Sequence, residues 1–331
     1  MSFNFFFALR SFVNKNNNKK RMQTILGANG IIGEELAKSL RNTYTNDIKL
    51  VGRNPEKVHD QDILFKCDLL NAESVKNALA DTEIAYLTVG LPYESKLWLQ
   101  QWPIVMTNVI SACKEQGCKL VYFDNTYAYP QDSKIQIEDT PLQPGGEKGM
   151  AKKIAIELLL AAIEKKEIRA VICRAPEFYG PGKTKGITND LVFGNLQRHK
   201  KPKFLLKDTV KRTLIFTPDA SRAMALIGNT DDAYSQTWHL PCDDNRLTFR
   251  EFIHEISNQL GREVRYGKLT SFILKIGALF NPTIRETLEL LPRYAIDNIF
   301  DSSKFKKRFP DFKVTTYQEG IKIILKDYGI K

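Results

Sequence analysis

Gly27, Gly30 and Gly33 stand three residues apart in Thr24-Ile-Leu-Gly-Ala-Asn-Gly-Ile-Ile-Gly33. The spacing suits chemistry done by backbone. The first glycine permits a tight turn, the second lets a pyrophosphate approach the chain, and the third lets a helix pack closely on a strand. Phosphates then meet unpaired amides at the positive end of that helix. A glycine triplet alone is a weak signal. It gains weight from Arg53 in Leu50-Val51-Gly52-Arg53-Asn54, at the end of the next apolar run. An acid there holds the ribose 2′-hydroxyl of NAD, whereas a cation accommodates a 2′-phosphate. NADP(H) is therefore the expected cofactor and NAD(H) the alternative; the competing reading is an arginine that caps a surface loop.

For those glycines to work, a strand must precede them and a helix follow. Thr24–Leu26 reads as the strand, and Ile32, Leu36 and Leu40 recur every four residues as the buried stripe of the helix. Strands are predicted at Ile48–Val51, Ile63–Lys66, Ile84–Val89, Lys119–Phe123 and Arg169–Arg174, with helices at Ala72–Ala80, Lys96–Glu115 and Lys148–Lys165. Pro103 would kink the long helix or mark its start. Such alternation builds an α/β, doubly wound (Rossmann) parallel sheet over residues 22–182. Residues 183–331 read as a smaller C-terminal substrate lobe interwoven with late sheet elements. Its helices are expected at Asn189–Gln197, Asp219–Ile227, Phe249–Gln259, Ser271–Phe280 and Thr316–Lys326, and its strands near Lys203–Leu206, Trp238–Leu240 and Val264–Tyr266. The apolar stretch Phe272–Phe280 is assigned to core packing ahead of a substrate entrance.

Composition narrows the function classes. The formal net charge is +11, of which Arg10, Lys15, Lys19, Lys20 and Arg21 supply five within an acid-free stretch read as a disordered extension, residues 1–21. The remaining excess is dispersed, so no nucleic-acid partner is expected. Five scattered cysteines without a CxxC pair indicate a reduced, cytoplasmic chain, and four histidines without ligand spacing indicate no metal. No apolar run reaches the roughly 18 residues of a membrane helix, so no membrane partner is expected. The partner expected is a small-molecule substrate, and an oligomer is compatible with the sequence. Gly182-Lys183-Thr184 resembles the end of a phosphate loop but lacks the glycine five residues earlier, where Glu177 stands.

The GANGIIG turn, VGRNPEK, CDLLNAESV, VYFDNTYAYP, RAPEFYGPG, LIFTPDASRAM, WHLP, LTFREF and DSSKF follow one another in an order that resembles the short-chain dehydrogenase/reductase superfamily. Over about residues 22–328 the chain is similar to its extended and atypical members, grouped with NAD-dependent epimerases and dehydratases. The resemblance implies Gly27, Asn29, Gly30, Ile32 and Gly33 at the pyrophosphate, Arg53 at the 2′-phosphate and Asp68 with Leu69 at the adenine. It implies Val89 and Gly90 near the adenosine ribose and Pro176 to Phe178 against the nicotinamide, with Tyr179 packed beside the cofactor. Asp68 has a plainer alternative as a turn cap.

The catalytic pattern departs from that family. Its members carry a Ser or Thr after the fifth strand and a Tyr-x-x-x-Lys on the next helix. Thr126 fits the hydroxyl and Lys152 the lysine that holds the ribose, but Lys148 stands where the tyrosine belongs. Lys148 would serve as an acid only with a depressed pKa, and two lysines one helical turn apart would depress each other. A plain surface lysine is the favoured reading. Tyr127 and Tyr129 offer alternative donors, with aromatic packing as their structural explanation. The expected activity is NAD(P)H-dependent hydride transfer to the carbonyl of a small molecule or sugar derivative, with Thr126 polarising it. The rival is an NADP(H)-binding sensor that catalyses nothing.

Overall fold

The computed structural model describes residues 22–331; the extension assigned to residues 1–21 lies outside the described residues. Seven parallel strands form the central sheet in the order β11-β6-β5-β4-β1-β2-β3. They are β1 (Met22–Leu26), β2 (Ile48–Gly52), β3 (Ile63–Lys66), β4 (Thr82–Leu87), β5 (Lys119–Asn125), β6 (Ala170–Ala175) and, from late in the chain, β11 (Thr237–His239). The order reverses between β1 and β4, and ligands of doubly wound sheets bind at such a switch point, beyond the carboxyl ends of the strands.

Helices cover both faces: α1 (Ile31–Thr43), α2 (Ala72–Ala78), α3 (Ser95–Gln116), α4 (Glu147–Glu164) and α6 (Thr217–Gly228), with the short α5 (Gly194–Gln197) continuing an irregular turn. Leu36, Ala37 and Leu40 of α1 pack with Ala220, Ala223 and Met224 of α6 on one side of the sheet. Trp102, Val105, Met106 and Val109 of α3 pack with Ala155, Ile156 and Leu159 of α4 on the other. Burial on both faces explains why β6 is apolar but for Arg174, and why the buried Gln23 and Thr24 of β1 are bonded, to Asn229 and Thr82. Pro103 sits inside α3, well past the helix start at Ser95, so it does not mark that start.

Short strands β7 (Glu177–Tyr179) and β10 (Leu214–Phe216) pair with each other, as do β9 (Lys211–Arg212) with β12 (Leu247–Thr248) and β8 (Lys203–Leu205) with β13 (Gly267–Leu269). Around them lie α7 (Phe249–Leu260), α8 (Ser271–Phe280), α9 (Pro282–Thr287), α10 (Ser303–Arg308) and α11 (Tyr317–Asp327). Two expectations are corrected here. The strand near Val264–Tyr266 falls at Gly267–Leu269. Val264 and Tyr266 are apolar because they pack against α7 and against Phe204 and Phe249, not because they join a ladder. The stretch Phe272–Phe280 is not core. It buries only Leu274 and Ala278, while Phe272, Leu279 and Phe280 are 72%, 73% and 84% exposed.

Among the described residues no helix is long and apolar enough to cross a membrane, and no group of three or more His, Cys, Asp and Glu gathers as a metal site. The five cysteines are buried and free.

Candidate cofactor and active site

The glycine turn is held by close approach. Gly27 has φ +99°, and a Cβ there would stand 2.5 Å from the Cα of Val89 at the end of β4. A Cβ on Gly33 would meet Ala28 Cα and the Gly27 carbonyl at 2.8 Å. At Gly30, the N-cap of α1, a Cβ would meet only the Gly27 carbonyl, at 3.5 Å. Two glycines are therefore required by neighbouring backbone, while the third leaves one side of the turn open beside the amides of the first helical turn. That is a fit for a pyrophosphate.

Asn29 braces the turn with its side chain. Nδ2 donates to the Asn54 carbonyl at 2.6 Å, and Oδ1 accepts from the Glu56 amide at 3.1 Å. The loop bearing Arg53 is thus tied to the glycine turn. Arg53 is exposed and makes no hydrogen bond or ion pair among the described residues, which leaves its guanidinium available to an anion. The Ile32 side chain is buried in the core and its carbonyl accepts from Ser221 Oγ at 3.0 Å, so only its amide can face a phosphate. Asp68 is exposed and accepts from the Leu70 amide at 3.0 Å, which makes it a turn cap. Leu69 is buried in the α2–α3 cluster, and its carbonyl accepts from Asn108.

Beyond the carboxyl ends of β4, β5 and β6 lies a cavity of about 560 Å³. Gly90, Thr126, Tyr127, Pro176 and Phe178 line it, and Arg212, Leu290, Arg293 and Tyr294 close it from the C-terminal half. Side chains alternate along a strand. Phe178 accordingly faces the cavity while Tyr179 turns away into the cluster of Phe216, Phe252 and Tyr317, which corrects the expectation that Tyr179 packs beside the cofactor.

Thr126 is held by a residue the sequence did not point to. Arg293 Nη1 donates to Thr126 Oγ1 at 2.9 Å, and Nη2 donates to the Thr126 and Tyr129 carbonyls at 2.6 and 2.9 Å. Arg293 has no carboxylate partner among the described residues, and burial, reinforced by the charge of Arg212, pulls its pKa down to about 10. Since Thr126 Oγ1 accepts from a cation, its own proton is left to donate.

The Tyr127 and Tyr93 hydroxyls lie 2.9 Å apart, and the Tyr127 ring stands edge-on to Trp98. Burial and the neighbouring Tyr93 hold the Tyr127 phenol well above its ordinary range, so it keeps its proton at neutral pH. Tyr129, the other sequence candidate, is fully buried and points into the sheet. Its hydroxyl meets Arg174 Nη1 at 2.6 Å and His239 Nε2 at 2.7 Å, so it cannot reach a substrate in the cavity.

Lys148 is not a surface lysine: its side chain is fully buried. Nζ donates to Glu286 Oε2 at 2.6 Å, to the Glu286 carbonyl at 2.9 Å and to Ser95 Oγ at 3.0 Å. Glu289, on the turn after α9, accepts from the Lys148 and Gly149 amides and so caps α4 with a carboxylate. Lys152 is also buried, with Nζ bonded to Tyr122 Oη, 3.0 Å from Asp124 Oδ1 and 4.0 Å from the Trp102 ring centroid. Its pKa is lowered by burial, against the pull of Asp124 and with a further push from Arg174. The cation beside Lys152 is therefore Arg174, not Lys148. Neither lysine lines the cavity.

The chain is similar over most of its length to solved sugar-nucleotide enzymes. UDP-glucuronic acid 4-epimerase from Bacillus cereus, in complex with NAD, superposes with a TM-score of 0.74 at 16% identity, covering 93% of this chain and 98% of that one. UDP-glucose 4-epimerase from Thermus thermophilus, in complex with NAD, gives 0.73 at 14% identity over 93% and 99%. dTDP-glucose 4,6-dehydratase from Bacillus anthracis, in complex with NAD, gives 0.75 at 16% over 93% and 96%. No curated protein matches the sequence. A family model described as NAD dependent epimerase/dehydratase matches residues 24–238, from the first strand through the last strand of the sheet. By its sequence and by its doubly wound sheet, the chain belongs to the NAD dependent epimerase/dehydratase family.

Proposed function

We propose that the protein is an NADP(H)-dependent reductase of a small carbonyl compound, with residues 22–182 as its cofactor half and 183–331 as its substrate-side half. The observation that carries the reading is that Thr126 and Tyr127 line one cavity with Gly90, Pro176 and Phe178. Gly27, Gly30, Gly33 and the α1 amides would hold the pyrophosphate, and Arg53 the 2′-phosphate. A bound nicotinamide supplies hydride. Thr126, with Arg293 bonded to its oxygen, donates its hydrogen bond to the substrate carbonyl and polarises it. Tyr127 donates the proton that turns the developing alkoxide into an alcohol. A phenol held above its ordinary pKa remains an adequate acid toward an alkoxide but is a scarce base at neutral pH. This favours reduction over an epimerase cycle, which must begin by oxidising its sugar.

NADPH consumption over a panel of aldehydes, ketones and nucleotide-linked keto sugars tests the proposal. Turnover that falls sharply in Thr126→Val and Tyr127→Phe supports it; no turnover with any carbonyl overturns it. One observation favours a second reading, a cofactor-binding sensor: Lys148 and Lys152 are both engaged in ion pairs, and neither lines the cavity. A sensor would bind NADPH, followed by its fluorescence, and consume none.

A further inference from the structure

Helix α8 carries a stripe that the fold leaves uncovered. Phe272, Ile273, Ile276, Leu279 and Phe280 repeat at helical spacing, and all five are exposed. The opposite face buries Leu274 and Ala278, Leu274 against a small cluster that includes Leu205, Leu291 and Tyr294. A contiguous apolar stripe of this kind on a protein surface marks an interaction site.

We infer that α8 docks the protein on the surface of an anionic phospholipid bilayer, inserting Phe272, Leu279 and Phe280 among the acyl chains. Two features of the helix and the segments flanking it select this partner over a protein. From Lys268 to Arg285 the chain carries Lys268, Lys275 and Arg285 and no acid. All three are exposed, and none forms an ion pair among the described residues. Cations beside an apolar stripe suit negatively charged headgroups. In addition, Leu279 and Phe280 stand almost clear of the surface at 73% and 84% exposure. A protein partner would need a pocket shaped for each, whereas an acyl layer accepts a protruding side chain in any orientation. The expectation of no membrane partner rests on the lack of a spanning segment, and a helix lying in the interface escapes that criterion.

Docking would bring the cavity close to the bilayer. The cluster beneath α8 contains Leu290 and Tyr294, which wall the cavity, and Thr283 and Thr287 of the adjoining α9 line it too.

Co-sedimentation of the full chain with phosphatidylserine/phosphatidylcholine vesicles, and with phosphatidylcholine alone, tests the inference. The wild type is expected to sediment with the anionic vesicles and to be released by salt. Leu279→Ser/Phe280→Ser should lower the bound fraction by more than about tenfold, and Lys268→Gln/Lys275→Gln should remove the preference for phosphatidylserine. Thermal melting and NADPH titration should match the wild type in both variants. Absence of wild-type sedimentation overturns the inference. So does sedimentation unchanged in the Leu279/Phe280 variant, which would assign binding to another segment such as residues 1–21. A dimer detected by ultracentrifugation that this variant dissociates, without vesicle binding, would give the face to a second copy of the chain.

Discussion

Lys148 Nζ lies 2.6 Å from Glu286 Oε2, so this lysine fastens α4 to α9. Lys148 is fully buried while Glu286 is 20% exposed and keeps its bonds from Ser95, so losing the lysine's charge-assisted bonds costs on the order of 2 kcal/mol. Lys148→Met should lower the unfolding free energy by about that amount, and adding Glu286→Gln should restore part of the loss. Denaturant titration of the single and double variants measures the coupling; strictly additive losses would mean the pair contributes nothing.

The same pair sets a pH dependence. Desolvation works to raise the Glu286 pKa, but the hydrogen bonds of Lys148 and Ser95 and the charge of Lys148 outweigh it and hold the carboxyl below its ordinary value. A depressed carboxyl contributes stability that is full above its unfolded pKa, about 4.3, and is lost as pH falls through the folded value. Thermal melts from neutral pH into the acid range should therefore fall more steeply for the wild type than for Lys148→Met. Parallel curves would remove Glu286 from the acid response.

Arg53→Ala should weaken NADPH binding by about tenfold or more, on the order of one lost charge-assisted contact, and leave NADH nearly unchanged. Fluorescence titration of both cofactors reads the difference. Equal losses would return Arg53 to the role of a surface loop residue.

Arg293→Met should reduce kcat more than it raises KM, because the guanidinium acts on the substrate through Thr126 Oγ1. Thr126→Val should reproduce most of the loss, and the double variant should add little to it. Additive losses would separate the two residues. A fall in NADPH affinity in either variant would mean that the turn at residue 126 serves the cofactor instead.

If Tyr127 is the proton donor, carbonyl reduction should stay level through neutral pH and decline only above the ordinary phenol value of 10.0, since burial raises the group. Alcohol oxidation with NADP⁺ should be slow at neutral pH. A falling limb near neutrality that persists in Tyr127→Phe would point to another acid.

The sequence made the doubly wound sheet legible because its signals are local. The glycine spacing, the four-residue stripe of α1 and the position of Arg53 each lie within one βαβ unit. The inner strands of the parallel sheet read as largely apolar runs because both their faces are buried, whereas the edge strand β3 is mostly exposed. The substrate side was less legible for a matching reason. Arg293 reaches Thr126 across 167 residues of sequence, and Glu289 caps α4 from 141 residues away. Neither carries a motif, since each is defined by what it meets after folding. Lys148 misled the surface reading in the same way, because its neutralising partner lies on α9. Tyr129 and Tyr179 look alike in composition to Tyr127, and only the facing of each backbone segment separates them. The irregular turn Leu288–Tyr294, which supplies Arg293 and Leu290 to the cavity, had no periodicity to reveal it.

Asn29 joins the glycine turn to the Arg53 loop through one amide side chain. Its bonds to Asn54 and Glu56 set the span between the glycine turn and the loop that carries Arg53. If the proposed cofactor contacts hold, grip on the phosphates and choice between the two nicotinamide dinucleotides share a hinge pin, and neither can be retuned alone. An engineer who exchanged Arg53 for an acid to switch the cofactor would inherit a loop still held at the distance set for the original ligand.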